Sequence, residues 1–184
     1  MRAKGLSLLA VAAIVAAPVF ATAQDRYFGP DVGFFYPSNA TMRAALGDQW
    51  ISFGASSMST GNYQSSALGT NWNAVSQNKN GNSVFMASYS LGTMQLLGGN
   101  RGMVGGGMQP FLALRGGLSY IDYAIGAGAG RTSAKKFGYN ANAELGIHLS
   151  QQFVVSARYD IYSRHDGFTF DGLTLNLRYG LVRF

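Results

Sequence analysis

The chain has 184 residues, enough for one domain, with no Cys, 25 Gly, 12% charged residues and a formal net charge of +6. The lack of Cys excludes disulfide-stapled scaffolds and thiolate metal sites, and the 47% of apolar residues argues against a disordered chain. The few charges argue against a coiled coil, and the basic surplus forms no stripe or motif of the kind that nucleic-acid binding requires.

The first 23 residues have the pattern of a secretory signal peptide. Two basic residues precede an uncharged run, Leu6 to Phe20, and Ala21-Thr22-Ala23 supplies a small-x-small cleavage site. The run is short for a spanning helix, which needs about 20 apolar residues, so we interpret it as a cleaved signal rather than a permanent anchor. Residues 24–184 then form one mature domain with 12 basic and 8 acidic side chains.

The first half of the mature chain predicts four strands and one short helix. The strand segments are Asp31–Tyr36, Trp50–Ser57, Leu68–Gln77 and Val84–Leu97. Between the first two strands, polar residues at 38–41 precede Met42–Leu46 and then Gly47, which predicts a capped helix of one or two turns. Asn80-Gly81 separates the last two strands and predicts a hairpin turn with positive φ angles.

The second half predicts four more strands from alternation of apolar and polar residues. The segments are Leu112–Tyr120, Phe137–Leu149, Phe153–Ile161 and Leu173–Leu181. Every odd position of Phe137–Leu149 is apolar, whereas the even positions are Gly, Asn, Glu and His, a period of two that only a strand produces. Ser150-Gln151-Gln152 predicts a tight hairpin, and the Gly-rich stretches 98–107 and 126–131 predict loops.

The apolar faces of these strands could point either into the interior of the protein or out toward lipid. A soluble protein would place the apolar faces inward, whereas a membrane barrel would turn them to lipid. Several strands are roughly 10 to 14 residues long, against about 5–6 in soluble proteins and about 9–11 in membrane barrels. The polar faces also carry Gly, Ser, Asn and Thr rather than Lys and Glu, which suits a narrow lumen. Both features favour the membrane barrel.

Aromatic residues near strand ends support the same interpretation. We expect them to form girdles at the membrane interfaces. The candidates are Tyr27, Phe28, Tyr120, Tyr123, Phe137, Phe153, Tyr159, Tyr162, Phe168 and Phe170. The sequence also ends on Phe184, directly after the last predicted strand.

With these features the chain resembles the small outer-membrane β-barrel proteins of Gram-negative-type bacteria, the porin-like and opacity-protein class that includes the transmembrane domain of outer-membrane protein A. The resemblance covers nearly all of residues 27–184. It implies an all-β fold, an eight-stranded antiparallel up-and-down transmembrane barrel, exported through the inner membrane to the bacterial outer membrane. It also implies that Phe184 is part of the signal read by the barrel-assembly machinery during biogenesis. Strict alternation puts Phe184 on the polar side, so either a bulge follows Tyr179 or the assembly signal is weakened.

The barrel interpretation predicts where the central charges lie. An eight-stranded barrel has an interior just wide enough for side chains, and isolated charges there would be unfavourable unless paired. Five residues share the polar parity of four consecutive strands: Arg115, Glu144, Arg158, Asp160 and Arg178. We therefore predict a lumenal cluster in which the arginines bridge the two carboxylates, so that the barrel is plugged and is not an open pore.

The sequence gives little support to catalysis. A lipid hydrolase could use His148, Glu144 and Ser150 or Ser156, but no Gly-x-Ser-x-Gly motif is present and same-face residues on one strand lie about 7 Å apart. His165 belongs to a predicted loop, and no residue spacing predicts a metal or cofactor site. We therefore expect neither enzyme activity nor a bound cofactor.

The predicted function is an integral outer-membrane barrel, in contact with outer-membrane lipid, with a structural or surface-interaction role toward a partner that the sequence does not identify. The alternatives are a lipid-modifying barrel hydrolase and a soluble periplasmic barrel with an apolar ligand inside. With eight strands, both termini would be periplasmic, and the connections near 37–49, 77–83, 122–135 and 163–168 would be extracellular.

Overall fold

The computed structural model describes residues 25–60, 66–97, 108–126, 128–150, 152–180 and 182–183. The predicted signal peptide, the Gly-rich stretch 98–107 and Phe184 lie outside these residues, so the expectations placed on them stay predictions. Among the described residues, no helix is long and apolar enough to cross a membrane.

Each predicted segment coincides with a strand over most of its length, and most strands extend further at one or both ends than predicted, while the segments predicted to end at Leu97, Leu149 and Leu181 end one or two residues earlier. The elements in chain order are β1 Asp25–Pro37, α1 Ala40–Leu46, β2 Trp50–Thr60, β3 Ser66–Lys79, β4 Asn82–Leu96, β5 Gln109–Ile125, β6 Thr132–His148, β7 Phe153–Tyr162, β8 Gly172–Tyr179 and β9 Val182–Arg183. The connection predicted at 122–135 is much shorter, since β5 runs to Ile125 and β6 starts at Thr132, with a 3-10 turn at Gly128–Gly130 between them.

The strands close into a barrel. Each strand pairs antiparallel with the next, and β1 pairs with both β2 and β8. Four connections meet at one end, which we call the loop end: those between β1 and β2, β3 and β4, β5 and β6, and β7 and β8. The tight β6–β7 turn lies at the opposite end, which we call the turn end. The fold is therefore the predicted closed, eight-stranded antiparallel barrel.

The last strand contains a one-residue bulge. Arg178 is opposite Asp31, whereas Val182 is opposite Phe28, so four steps along the last strand match three steps along β1. The extra residue lies after Tyr179, between β8 and β9. A bulge after Tyr179 was one of the two alternatives that the alternation of the last strand left open. Strand β9 continues β8 beyond this bulge.

Local sequence signals account for α1 and for the β3–β4 turn. The Asn39 side-chain oxygen accepts hydrogen bonds from the backbone N–H groups of Thr41, at 2.9 Å, and Met42, at 3.2 Å, which caps the first turn of the helix. Gly47 ends the helix with φ of 89°. In the hairpin turn Asn80 and Gly81 have φ of 52° and 76°, as the Asn-Gly pair predicts.

The apolar faces point outward. The side chains of Leu145, Val155 and Leu177 are 57%, 45% and 46% exposed, whereas Glu144 and Arg158 are fully buried. This orientation is the reverse of a soluble protein and argues against a soluble barrel with an apolar interior. The outer surface of the strands is therefore one that suits lipid.

The lumen is layered along its axis. On β5 the inward positions run from Phe111 and Ala113, through Arg115 and Ser119, to Ile121. The loop-end cluster contains Phe35, Met42, Leu46, Trp50, Val75, Val84, Met86, Ile121, Tyr123, Ile125, Tyr162 and Phe170. The turn-end cluster contains Met94, Phe111, Ala113 and Val154. A polar layer therefore lies between two apolar clusters.

The loop-end cluster corrects the predicted aromatic girdle. Tyr123, Tyr162 and Phe170 are buried inside the barrel mouth, and Phe168 packs against them. The first two occupy inward positions of their strands, and the β7–β8 connection carries Phe168 and Phe170 over the mouth. Tyr120 and Phe137 do lie on the outer face, with ring centroids 5.1 Å apart.

Candidate functional site

The five charged residues singled out from the sequence lie together in the polar layer. Glu144 on β6 accepts from Arg115 on β5, with Nη1 2.6 Å from Oε2, and from Arg178 on β8, with Nη2 3.0 Å from Oε1. Arg158 and Asp160, both on β7, form a third ion pair at 3.0 Å. All five side chains are at least nine-tenths buried. Glu144 therefore lies between two arginines, whereas Asp160 pairs with Arg158 alone, so no single arginine joins these two carboxylates as the sequence had predicted.

A sixth member, Asp31 on β1, was missed by the sequence reasoning. Its Oδ2 lies 3.5 Å from Nε of Arg178, and the residue is 4% exposed. The available signal was parity, since Asp31 alternates with Val32 and Phe34, which face outward. With Asp31 included, three guanidinium groups face three carboxylates. The layer is therefore balanced in charge, which lowers the desolvation penalty that each ion would otherwise carry.

Neutral side chains join the ion pairs into one network. Its members and their strands are Asp31 on β1, Ser56 on β2, Asn71 on β3, Ser90 on β4, Arg115 on β5, Asn142 and Glu144 on β6, Arg158 and Asp160 on β7, and Thr174 and Arg178 on β8. Every one of the eight barrel strands contributes at least one side chain. Hydrogen bonds between buried polar groups strengthen one another in a low-dielectric interior, and here they come from all around the wall.

One branch of the network spans the lumen. Arg158 on β7 donates from Nη1 to Oδ1 of Asn71 at 2.9 Å, and β3 and β7 lie on opposite sides of the barrel. Asn71 donates to Ser56 at 2.8 Å, and Ser56 donates to Asp31 at 3.3 Å. Thr174 donates to Asp160 at 2.8 Å. Arg158 thus ties opposite walls together.

A second branch passes through Asn142. Arg115 donates to its Oδ1 at 3.4 Å, and its Nδ2 donates to Ser90 at 3.2 Å. Ser90 in turn donates to the backbone carbonyl of Asn71 at 3.4 Å, which returns to the first branch. Hydrogen bonds of the two branches therefore connect several different pairs of strands across the polar layer.

Inward-facing glycines make room for the large interior side chains. A Cβ added at Gly54 would lie 2.2 Å from the backbone oxygen of Trp72 and 2.8 Å from Oδ1 of Asp31, and one at Gly146 would lie 2.4 Å from Cζ of Phe111. A Cβ at Gly172 would lie 2.4 Å from Cζ of Phe35. Contacts this short do not occur for real Cβ atoms, so the glycines on the polar parity are required by packing.

The connections at the loop end are bonded to one another. Asn82 donates to the carbonyl of Ala45 at 3.5 Å and accepts from the N–H of Gly126 at 2.9 Å, which joins three connections. Asn39 donates to Thr169 at 3.1 Å, and Tyr123 on β5 bonds Asp166 in the β7–β8 connection. The four connections are therefore joined in one series, and Tyr123 links the β7–β8 connection back to the barrel wall.

Two of the residues considered for hydrolysis, Ser150 and Glu144, have structural roles. Ser150 accepts from the N–H groups of Gln152 and Phe153 and closes the tight turn, while Glu144 is held by two arginines. The ring of His148 packs against Phe111 at 5.1 Å, and the buried Ser156 lies on the next strand.

A serine–histidine contact does exist elsewhere. Ser163 Oγ lies 2.9 Å from Nε2 of His165, a pair that the sequence reasoning did not identify. Within the described ranges, no carboxylate is bonded to the His165 ring, and no group of three or more His, Asp or Glu side chains could hold a metal ion. The pair therefore lacks the orienting group that activates a serine nucleophile.

Comparison with solved structures gives the same architecture. Ail, the attachment invasion locus protein of Yersinia pestis, is 13% identical with a TM-score of 0.58, covering 89% of this chain and 100% of Ail. Neisserial surface protein A is 12% identical with a TM-score of 0.54, covering 85% of this chain and 97% of that protein. The N-terminal β-barrel domain of Pseudomonas aeruginosa OprF is 11% identical with a TM-score of 0.50, covering 86% and 98%.

Neither a protein-family model nor a curated protein sequence matches the chain. Ail has also been solved as an outer membrane protein in a phospholipid bilayer nanodisc. The similarity extends over nearly the whole of each neighbour, and the outward apolar belt of this chain is the surface that such a fold presents to lipid. The chain has the fold of the small eight-stranded outer-membrane β-barrel proteins.

Proposed function

We propose that the protein is an outer-membrane barrel that does not conduct and that acts through its loop end, in a structural or surface-interaction role. The observation that carries this proposal is the lumen itself. A charge-balanced network with a side chain from each strand lies in the middle, and an apolar cluster lies on each side of it.

The energetics of an ion path support this proposal. An ion entering from the loop end would have to displace Met42, Leu46 and Trp50, which are buried, and then separate buried ion pairs. Removing one partner of a buried pair costs about 3–5 kcal/mol because the other charge is left uncompensated.

The hydrogen bonds among the connections support a role for the loop end. Surface loops are usually mobile, but here α1 is anchored in the mouth through Met42 and Leu46, and Asn82 joins three connections. A rigid surface loses little conformational entropy when a partner binds, which favours recognition. The inference that this end faces outward follows from the short β6–β7 turn at the opposite end.

Single-cysteine labelling tests the surface role, because the natural chain contains no Cys. Ser133→Cys lies at the loop end and Gln152→Cys at the turn end, and both positions are exposed. A membrane-impermeant maleimide should label Cys at position 133 in intact cells, and Cys at position 152 only after the outer membrane is disrupted. Labelling of position 152 alone in intact cells would reverse the orientation and remove the proposed surface role.

A further inference from the structure

The β5–β6 hairpin extends beyond its neighbour β7. β5 and β6 stay paired from Gln109 opposite His148 up to Ile125 opposite Thr132. β7 pairs with β6 only as far as Tyr162 opposite Asn140, followed by one bond from the Ser163 N–H to the Tyr139 carbonyl at 3.0 Å. Residues 132–138 of β6 therefore have a strand partner on one side only.

The backbone groups on this open edge can be assigned. The carbonyl of Tyr139 and the N–H of Leu149 both bond toward β7, so odd positions of β6 direct their backbone groups to that side. Ser133, Lys135 and Phe137 consequently present three N–H and three C=O groups to the open side. Unpaired edge groups of this kind are a template for another strand.

The β7–β8 connection does not fill this edge with backbone bonds. Its own turn is closed by reciprocal bonds between His165 and Phe168. Its contacts with β6 involve side chains of even positions, since Ser163 Oγ packs on Gly138 and Asp166 lies 3.9 Å from Lys136. These contacts lie toward the lumen, so the outer side of the edge is left open.

The surroundings of the edge are basic, with one prominent apolar side chain. From Asp122 to Gly138 there are three basic residues, Arg131, Lys135 and Lys136, against one acidic residue, and the adjoining part of the β7–β8 connection, residues 163–168, adds one of each sign, Arg164 and Asp166. The Lys135 side chain is 72% exposed, and Phe137 next along the edge is 82% exposed. An incoming strand would therefore be favoured by acidic side chains and by an apolar contact with Phe137.

We propose that the open edge of β6 binds an extended, acidic segment of a partner protein as an added strand. This rests on the proposed function only in placing the edge at the cell surface. A second copy of the chain fits poorly, because two copies in one membrane have the same orientation. Their edges would meet as parallel strands and place Lys135 beside Lys135, which is repulsive.

Peptide titration of the full mature protein in detergent micelles tests the proposal directly. The probe is an eight-residue peptide of alternating Val and Glu, compared with its Val–Lys counterpart and with a Val–Glu peptide that is N-methylated at alternate residues. The Val–Glu peptide should slow amide hydrogen exchange at Ser133, Lys135 and Phe137 by about tenfold. The other two peptides should leave these amides unchanged, and equal effects of all three would overturn the proposal.

Two variants of one residue separate the backbone from the charge. Lys135→Ala and Lys135→Pro both remove the ion pair with Asp122, but only Lys135→Pro removes the edge N–H, which does not bond to β5. Lys135→Pro should bind the Val–Glu peptide about tenfold more weakly than Lys135→Ala. Equal affinities would contradict strand addition.

Heat-modifiable gel migration of each variant reports whether the barrel has folded. If Lys135→Pro fails to fold, the comparison of the Val–Glu peptide with its N-methylated form on the natural protein still tests whether binding needs backbone hydrogen bonds. Binding in micelles does not depend on cellular orientation, so failure here is distinct from failure of the labelling experiment.

Discussion

Arg158 is the residue on which the lumenal network depends most, since it pairs with Asp160 and reaches Asn71 across the barrel. Arg158→Met keeps much of the volume but leaves a carboxylate uncompensated in a closed interior. We expect the free energy of unfolding, measured by denaturant titration in micelles, to fall by about 3–5 kcal/mol.

The matched control is Lys135→Met, which removes an exposed ion pair with Asp122 at 3.6 Å. Exposed pairs contribute about 0–1 kcal/mol, so this variant should resemble the natural protein. Equal destabilisation by the two substitutions would mean that the buried network does not stabilise the fold as argued.

The face of the strand on which a side chain lies was predictable where apolar and polar residues alternate strictly. Arg115, Glu144 and Arg158 could be assigned to one face because their apolar neighbours leave no other choice. Asp31 could not be connected to them, because its pairing with Arg178 depends on closure of the first strand on the last. Closure is a property of the whole sheet, so parity could place Asp31 on the inner face but could not pair it with Arg178.

At the scale of elements, an inward glycine sets how closely a strand approaches the interior side chains. Gly146→Ala would place a Cβ 2.4 Å from Phe111 and 2.8 Å from Ser156 Cβ, so the strand or the ring must shift. We expect a loss of about 1–3 kcal/mol in unfolding free energy. Denaturant titration in micelles measures it.

Gly116→Ala provides the comparison, because that position is exposed and the nearest atom to an added Cβ is 3.9 Å away. This variant should be within about 0.5 kcal/mol of the natural protein. A loss at Gly116 as large as that at Gly146 would indicate a general effect of replacing strand glycines, not packing against Phe111.

The elements themselves were largely predictable, and their ends were not. Alternation identifies a strand only where one face is apolar, so the loop-end part of β6, from Thr132 to Lys136, gave no signal. The signals for α1 and for the Asn80-Gly81 turn come from neighbouring residues, and they were sufficient to predict both elements. The direction of Met42 and Leu46 into the mouth depends on the neighbouring strands, and so it was not predicted.

At the scale of the whole molecule, charge and apolar surface are separated by layer. The six lumenal charges balance, apolar clusters lie on either side of them, and the outer belt of the strands is apolar. The bonds among the loop-end connections were not predictable, because Asn82 joins Ala45 and Gly126, residues far apart in the sequence. The alternation of apolar and polar residues predicts the strands of the barrel, whereas the hydrogen bonds between its loop-end connections depend on residues far apart in the sequence.

Single-channel recording in a planar lipid bilayer tests the closed lumen most directly. The mature protein is inserted after heat-modifiable gel migration has established that it is folded. We predict no long-lived conductance steps above the bare bilayer at neutral pH, because an ion moving along the axis would meet the two apolar clusters and the paired charges between them. Stable, large, reproducible open steps from the natural protein would contradict the account.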